Sequence, residues 1–238
     1  MKVDVPRAVM LDLDDTIIQF SVLNAKCWNT VCSEFSSQLQ QHGISDFVPG
    51  VLRTSEEFWS DEERHGKWRQ NMNEARRMVV GSTLKKYGVV DDALSTAIAN
   101  EYSAAKEENS CPFPGSIETV ERLRELGAGL ALVTNGSSAS QRRKIERFGL
   151  SRLFDHILIE GEQGYGKPDS RIFLDALAKL DARAEDAWMI GDNQTWDIIP
   201  PQKLGMGTIW VNSKSAPKLP ESVPILTLGS LSELMQYI

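Results

Sequence analysis

Two hydrophobic patterns alternate along the chain. Short, mostly apolar runs occupy Ala8–Leu13 (interrupted by Asp12), Leu130–Val133, His156–Ile159, Ala187–Ile190 and Thr208–Val211. Each is about strand length, and a run apolar on successive positions suits a strand covered on both faces, as in a parallel sheet. Between them the apolar residues recur at helical spacing. Ile117, Val120, Leu123 and Leu126 form one stripe, closed by Gly127. Ile145 and Phe148 precede Gly149, and Ile172, Phe173, Ala176, Leu177 and Leu180 form another. Strand alternating with helix predicts a doubly wound, Rossmann-like α/β core with a mostly parallel sheet.

Residues 17 to about 110 break that rhythm. They carry helical stripes with no clear strand between them: Val22, Ala25, Trp28, Val31, Phe35 and Leu39; then Trp68, Met72, Ala75 and Val79; then Leu94, Ile98 and Tyr102. Asp91 or Asp92 is the expected N-cap of the third. The alternation resumes after Cys111, where Pro112, Pro114 and Gly115 punctuate the chain. This predicts a core of residues 1–16 and 111–238, with a helical cap of residues 17–110 inserted after the first strand.

Composition narrows the class. The chain has 238 residues, 41% hydrophobic and 25% charged, with a formal charge of −7. It can bury a sizeable core without disulfides. The net charge argues against nucleic acid or an anionic membrane as partner. Three cysteines (Cys27, Cys32, Cys111), none in a Cys-x-x-Cys spacing, argue for a reducing compartment. No apolar run reaches membrane-spanning length and the first residues do not resemble a signal peptide, so the expectation is a cytoplasmic protein.

Four polar sites follow apolar runs: Asp12, Asp14 and Thr16 in "DLDDT"; Thr134, Asn135 and Gly136 in "VTNG"; Lys167 in "GYGKPD"; and Gly191, Asp192 and Asp197 in "GDNQTWD". Residues just past neighbouring strands of a parallel sheet converge at one edge. Asp12, Asp14, Asp192 and, with them, Asp197 would then gather negative charge, which a hard divalent cation such as Mg²⁺ relieves. Lys167, the Thr134 hydroxyl and backbone N–H groups of the Asn135–Gly136 turn suit phosphate oxygens. One carboxylate could attack phosphorus, and another two residues along could protonate the leaving oxygen and later activate water.

At these residues the chain resembles the haloacid dehalogenase (HAD) superfamily: "DLDDT" is similar to its D-x-D-x-T motif, "VTN" to its Thr motif, "GKPD" to its Lys motif and "GDNQTWD" to its G-D-x-x-x-x-D motif, in the same order. The long insertion resembles the helical C1 cap of one subfamily. The resemblance implies Asp12 as nucleophile and Asp14 as acid/base. It implies Mg²⁺ held by the Asp12 carboxylate, the Asp14 backbone carbonyl and Asp192. It further implies phosphate binding by Thr134, Asn135 and Lys167, with Thr16, Gly191 and Asp197 in support. Because Asp14 supplies an acid for an alcohol leaving group, it favours phosphate esters over halides.

The expected function is a Mg²⁺-dependent phosphatase acting on a small phosphate monoester through an aspartyl-phosphate on Asp12, as a monomer or homodimer. Two alternatives stand beside it: a phosphomutase with the same phosphoenzyme chemistry, and a non-catalytic ligand-binding protein. Asp15 reads as a solvated or capping acid, and Asn193 either as a turn residue or as the holder of a metal-bound water. The cations Arg53, Arg64, His65, Lys67, Arg69, Arg76 and Arg77, with Trp68, read as a solvated helix face, one or more of which could meet substrate.

Overall fold

A computed structural model of the chain describes residues 2–238, the Glu62 side chain excepted. Six strands form one sheet: β1 (Ala8–Leu11), β2 (Gly129–Thr134), β3 (His156–Ile159), β4 (Ala187–Gly191), β5 (Gly207–Val211) and β6 (Leu226–Leu228). Their order is β3-β2-β1-β4-β5-β6, and every pairing is parallel. The expected doubly wound α/β core is therefore present, with β6 added at an edge.

The chain divides into two compact units, one comprising the chain up to Gln19 together with Cys111–Ile238, the other Phe20–Ser110. The second unit is helical: α1 (Asn24–Glu34), α2 (Ser36–Gln41), α3 (Phe47–Trp59), α4 (Glu62–Trp68), α5 (Met72–Lys86) and α6 (Asp92–Asn109). Its core includes Trp28, Val31, Val51, Val80 and Ile98. Trp28 stacks on Tyr102 with ring centroids 3.7 Å apart. Cys27 is buried in this core, as a packed thiol should be. Asp91 caps α6, accepting the Leu94 N–H at 2.8 Å. Lys106 is fully buried, donating to the Phe20 carbonyl and to Asn24 Oδ1 (2.7 Å). Ile17 and Ile18 are wholly buried with the sheet residues, which carries the first unit past residue 16 to Gln19.

The first unit adds α7 (Ser116–Glu125), α8 (Ser138–Arg147), α9 (Glu160–Gln163), α10 (Ser170–Lys179) and α11 (Ile199–Lys203). The β1 run is apolar on both parities because both faces are covered. Val9 and Leu11 join Leu130, Leu132, Ile190, Ile209 and residues of α7 and α8; Ala8 and Met10 join Val133, Met189 and Phe173, Ala176 and Leu177 of α10. Burying each large side chain contributes about 1.5–3 kcal/mol. From β1 the chain builds outward to β2 and β3, then returns across to β4 and β5. That reversal opens a crevice beyond the C-terminal ends of β1 and β4, where open α/β sheets bind ligands. Among the described residues no helix is long and apolar enough to cross a membrane.

Candidate active site

Register places the polar residues together. Leu11 pairs with Leu132 on one side and Ile190 on the other, so Asp12, Thr134, Gly191 and Asp192 all emerge at one sheet edge. The Asp12 N–H still donates to the Ile190 carbonyl at 2.9 Å, which fixes the backbone where the carboxylate leaves the strand.

Asp12 is 7% exposed and heavily engaged. Its Oδ1 accepts from Lys167 Nζ at 2.6 Å and its Oδ2 from Thr16 Oγ1 at 3.2 Å. Thr16 thus steadies the carboxylate itself. Lys167, 1% exposed, also lies 2.7 Å from Asp197 Oδ1, an ion pair outside hydrogen-bond geometry. Asp197 Oδ2 accepts the Asn193 N–H at 3.0 Å. Gly191 has a steric reason: a Cβ there would stand 2.4 Å from Asp197 Cγ and Oδ2. Asn193 serves the turn, its Oδ1 accepting the N–H groups of Thr195 and Trp196 at 3.0 and 3.1 Å.

The acids that come together are Asp12, Asp192 and Asp197, with a carboxylate oxygen of each within 4.8 Å of the others. Burial, opposed by Lys167 and reinforced by Asp197, pushes Asp12 up to about 7. Burial, with Asp12, Asp197 and Asp15 adding to it, holds Asp192 well above the usual carboxylate range. Burial lowers Lys167, but Asp12 and Asp197 more than offset it and keep its ammonium charged. Lys167 and the more distant Lys214, which is shared between Asp15 and Asp192, do not neutralise these acids. Oxygen-only donors carrying uncompensated negative charge fit a hard divalent cation, so the donor set passes the chemical test for Mg²⁺.

Asp14 sits apart from that trio through its side chain. Both its oxygens lie 2.7 Å from Lys144 Nζ, and Oδ2 also accepts from Gln141 Nε2 at 3.0 Å. The same Gln141 nitrogen donates its other hydrogen to Thr134 Oγ1 at 2.6 Å and lies 3.0 Å from the Asn135 carbonyl. Neither Gln141 nor Lys144 stood out in the sequence, although their one-turn spacing on the helix that follows Thr134 is a signal that reading could have used.

The hydrogen bonding here corrects the sequence reading at Gly136 and Asp15 and gives the Asn135 side chain another role. The Asn135 side chain is not available to a phosphate: its Nδ2 donates to the Lys167 carbonyl at 2.7 Å and its Oδ1 accepts the Lys167 N–H at 2.8 Å. It clamps the backbone that carries Lys167. The Gly136 N–H is likewise taken, by Glu160 Oε2 at 3.0 Å. Gly166 is required by this packing, since a Cβ there would stand 2.5 Å from Asn135 Oδ1. Asp15 is not solvated. It is 6% exposed, sits at φ 62°, and pairs at 3.2 Å with Lys214, which also lies 3.7 Å from Asp192.

In the helical unit, Arg53, Arg64, Lys67 and Arg77 are exposed, and Arg77 pairs with Glu74 at 3.1 Å. Arg76 departs from this face, half-buried with its guanidinium 5.5 Å from the centre of the Tyr102 ring.

Known proteins are similar to this chain in sequence and in fold. A phosphoserine phosphatase of Thermus thermophilus is 38% identical over 122 residues, a match spanning 51% of this chain and about half (49%) of that relative. A glyceraldehyde 3-phosphate phosphatase of Methanothermobacter thermautotrophicus is 34% identical over 211 residues, covering 87% of this chain and 86% of that one. Among solved structures, the HAD-hydrolase YfnB of Bacillus subtilis, described as bound to magnesium, superposes with a TM-score of 0.77 at 26% identity, covering 97% of each chain. The family model for haloacid dehalogenase-like hydrolases matches residues 6–205, the span from β1 past β4 that contains Asp12, Asp14, Thr134, Lys167, Asp192 and Asp197. The chain therefore belongs to the haloacid dehalogenase-like hydrolase family.

Proposed function

We propose that this hydrolase is a Mg²⁺-dependent phosphatase that cleaves a small phosphate monoester through an aspartyl-phosphate on Asp12. The observation that carries the reading is a shared donor: Gln141 Nε2 lies 3.0 Å from Asp14 Oδ2 and 2.6 Å from Thr134 Oγ1. A proton-transfer carboxylate thus sits beside a hydroxyl suited to phosphoryl oxygen, at the sheet edge from which Asp12 emerges. An ester whose leaving alcohol needs a proton is the chemistry this arrangement serves.

Asp12 attacks phosphorus, the P–O bond to the alcohol breaks, and Asp14 gives the departing oxygen its proton. Asp14 then takes a proton from water, which attacks the acyl phosphate, releasing phosphate and restoring Asp12. Lys167 holds the nucleophile and faces the charge that develops on the phosphoryl oxygens. Thr134 supplies a hydroxyl donor. Mg²⁺, held by Asp12, Asp192 and the Asp14 backbone carbonyl, would supply further charge neutralisation. The phosphatase names of the relatives agree with this reading. The inserted helical unit is taken as the source of substrate selectivity.

The test is Asp12→Asn. Phosphate release from p-nitrophenyl phosphate in the presence of Mg²⁺ is expected to fall to background, while the fold persists. Retained turnover would overturn the assignment.

A further inference from the structure

α8 runs "SASQRRKIER" and is polar over most of its surface, yet Gln141 is 2% exposed and the Lys144 side chain 14%. A buried amide and a nearly buried ammonium are costly unless their hydrogens and lone pairs are used. Here they are used on Asp14 and Thr134. Lys144 Nζ donates to both Asp14 oxygens at 2.7 Å and to Gln141 Oε1 at 2.8 Å.

The neighbours fix which way the amide points. Turned over, Gln141 would aim its oxygen at Asp14 Oδ2 and the Asn135 carbonyl, and its NH₂ at the Lys144 ammonium. Acceptors would then face acceptors, and donors a donor. The observed orientation resolves both conflicts. It also has a consequence for Thr134. A hydroxyl has one hydrogen to give, and Thr134 Oγ1 already accepts from Gln141. Its own hydrogen is left with a long 3.4 Å contact to the Asn135 carbonyl. That weak partner is easily exchanged for a phosphoryl oxygen.

We propose that Gln141 and Lys144 are positioning residues for the phosphoryl transfer: Lys144 fixes the Asp14 carboxylate toward the leaving group, and Gln141 makes Thr134 a donor to the phosphoryl group. The proposal rests on the phosphatase reading above and extends it to groups that touch neither phosphorus nor the leaving oxygen. Orientation is what the pair supplies. Lys144 grips both carboxylate oxygens, so Asp14 cannot turn about its Cβ–Cγ bond, and small misplacements of a reacting group are expensive in rate.

The experiment compares esters of different leaving-group quality. p-Nitrophenoxide departs without help, whereas an alkoxide needs the Asp14 proton. Lys144→Met is expected to lower kcat/KM about 10²-fold on glycerol phosphate and no more than about 3-fold on p-nitrophenyl phosphate. Lys144→Arg, which can still grip both oxygens, is expected to recover most of the alkyl-ester activity. Gln141→Leu lets the Thr134 hydrogen settle on the Asn135 carbonyl, so competitive inhibition by inorganic phosphate weakens about tenfold. Lys144→Met weakens that inhibition less than Gln141→Leu does, because Asp14 and the Asn135 carbonyl still orient the Gln141 amide after its bond to Lys144 is lost. Equal losses on both esters with an active wild type, or unchanged phosphate inhibition in Gln141→Leu, would overturn this proposal alone. A wild type inactive on both esters would overturn the phosphatase reading, and this proposal with it.

Discussion

Gly191→Ala isolates the packing that holds the lysine at the nucleophile. Gly191 ends β4, and an added Cβ would stand 2.4 Å from Asp197 Cγ and Oδ2 and 2.5 Å from Asp197 Cβ. The strand has no room to withdraw, since Met189 and Ile190 are 0% exposed. Nor is Asp197 free to swing, with Lys167 at 2.7 Å on one oxygen and the Asn193 N–H at 3.0 Å on the other. Overpacking of a tight interior costs about 1–3 kcal/mol. Driving Asp197 off Lys167 instead breaks a buried pair, worth about 3–5 kcal/mol. The expected loss is therefore about 1–3 kcal/mol if the site strains in place and about 3–5 kcal/mol if Asp197 leaves Lys167. Gly127→Ala is the control: its φ is +89° and nothing lies within 4 Å of its added Cβ, so only the left-handed backbone is penalised, by about 1–2 kcal/mol. Urea unfolding of both variants, with activity on p-nitrophenyl phosphate, measures the difference. Gly191→Ala should lose both stability and activity, Gly127→Ala only stability. Equal destabilisation with full activity in Gly191→Ala would refute the reasoning.

Lys167→Met removes the cation that Asp12 and Asp197 share, leaving both carboxylates buried without it. It is expected to cost about 3–5 kcal/mol and to abolish turnover, with partial rescue of stability by Mg²⁺ measured in thermal unfolding. pH should tune the metal. Asp12 is raised to about 7 and Asp192 is raised with it, so between about pH 4 and 7 the native state holds protons that the unfolded state has lost. Metal-free stability therefore falls as pH rises through that window. Lys167, also raised on folding, acts in the same direction, but only above its unfolded value near 10.5. Because Mg²⁺ needs ionised oxygens, its stabilising shift in thermal midpoint should be larger at pH 8 than at pH 5.5. An equal or reversed shift would contradict the charge assignment.

The sheet was legible where both of its faces are covered, because then every residue of a strand is apolar. Ala8 and Met10 on one side and Val9 and Leu11 on the other make β1 unmistakable. β6 escaped notice: it has three residues, with Thr227 exposed, at the edge of the sheet. The stripe from Val22 to Leu39 reads as one helix, yet the chain breaks it at Phe35 between α1 and α2. The stripe from Trp68 to Val79 likewise spans the end of α4 and the start of α5. α3 was hidden by Pro49 and Gly50. That glycine makes room for Tyr87, whose Oη lies 2.9 Å from the position of an added Cβ.

The acids of the site announce themselves by standing at strand ends. Their partners do not. Gln141 and Lys144 lie within a polar helix whose one hint that they turn inward is their one-turn spacing after Thr134. Lys214 reaches Asp15 across 199 residues, a pairing that only the assembled sheet creates. Asn135 carries a role its sequence position does not show: its side chain holds the Lys167 backbone.

The central claim is that Asp12 becomes phosphorylated. Rapid acid quench of the wild-type protein during turnover of a ³²P-labelled monoester, followed by peptide mapping, tests it directly. The account predicts a transient, hydroxylamine-sensitive label on the peptide containing Asp12, absent from Asp12→Asn. Steady hydrolysis with no label, or a label on any other peptide, would contradict it.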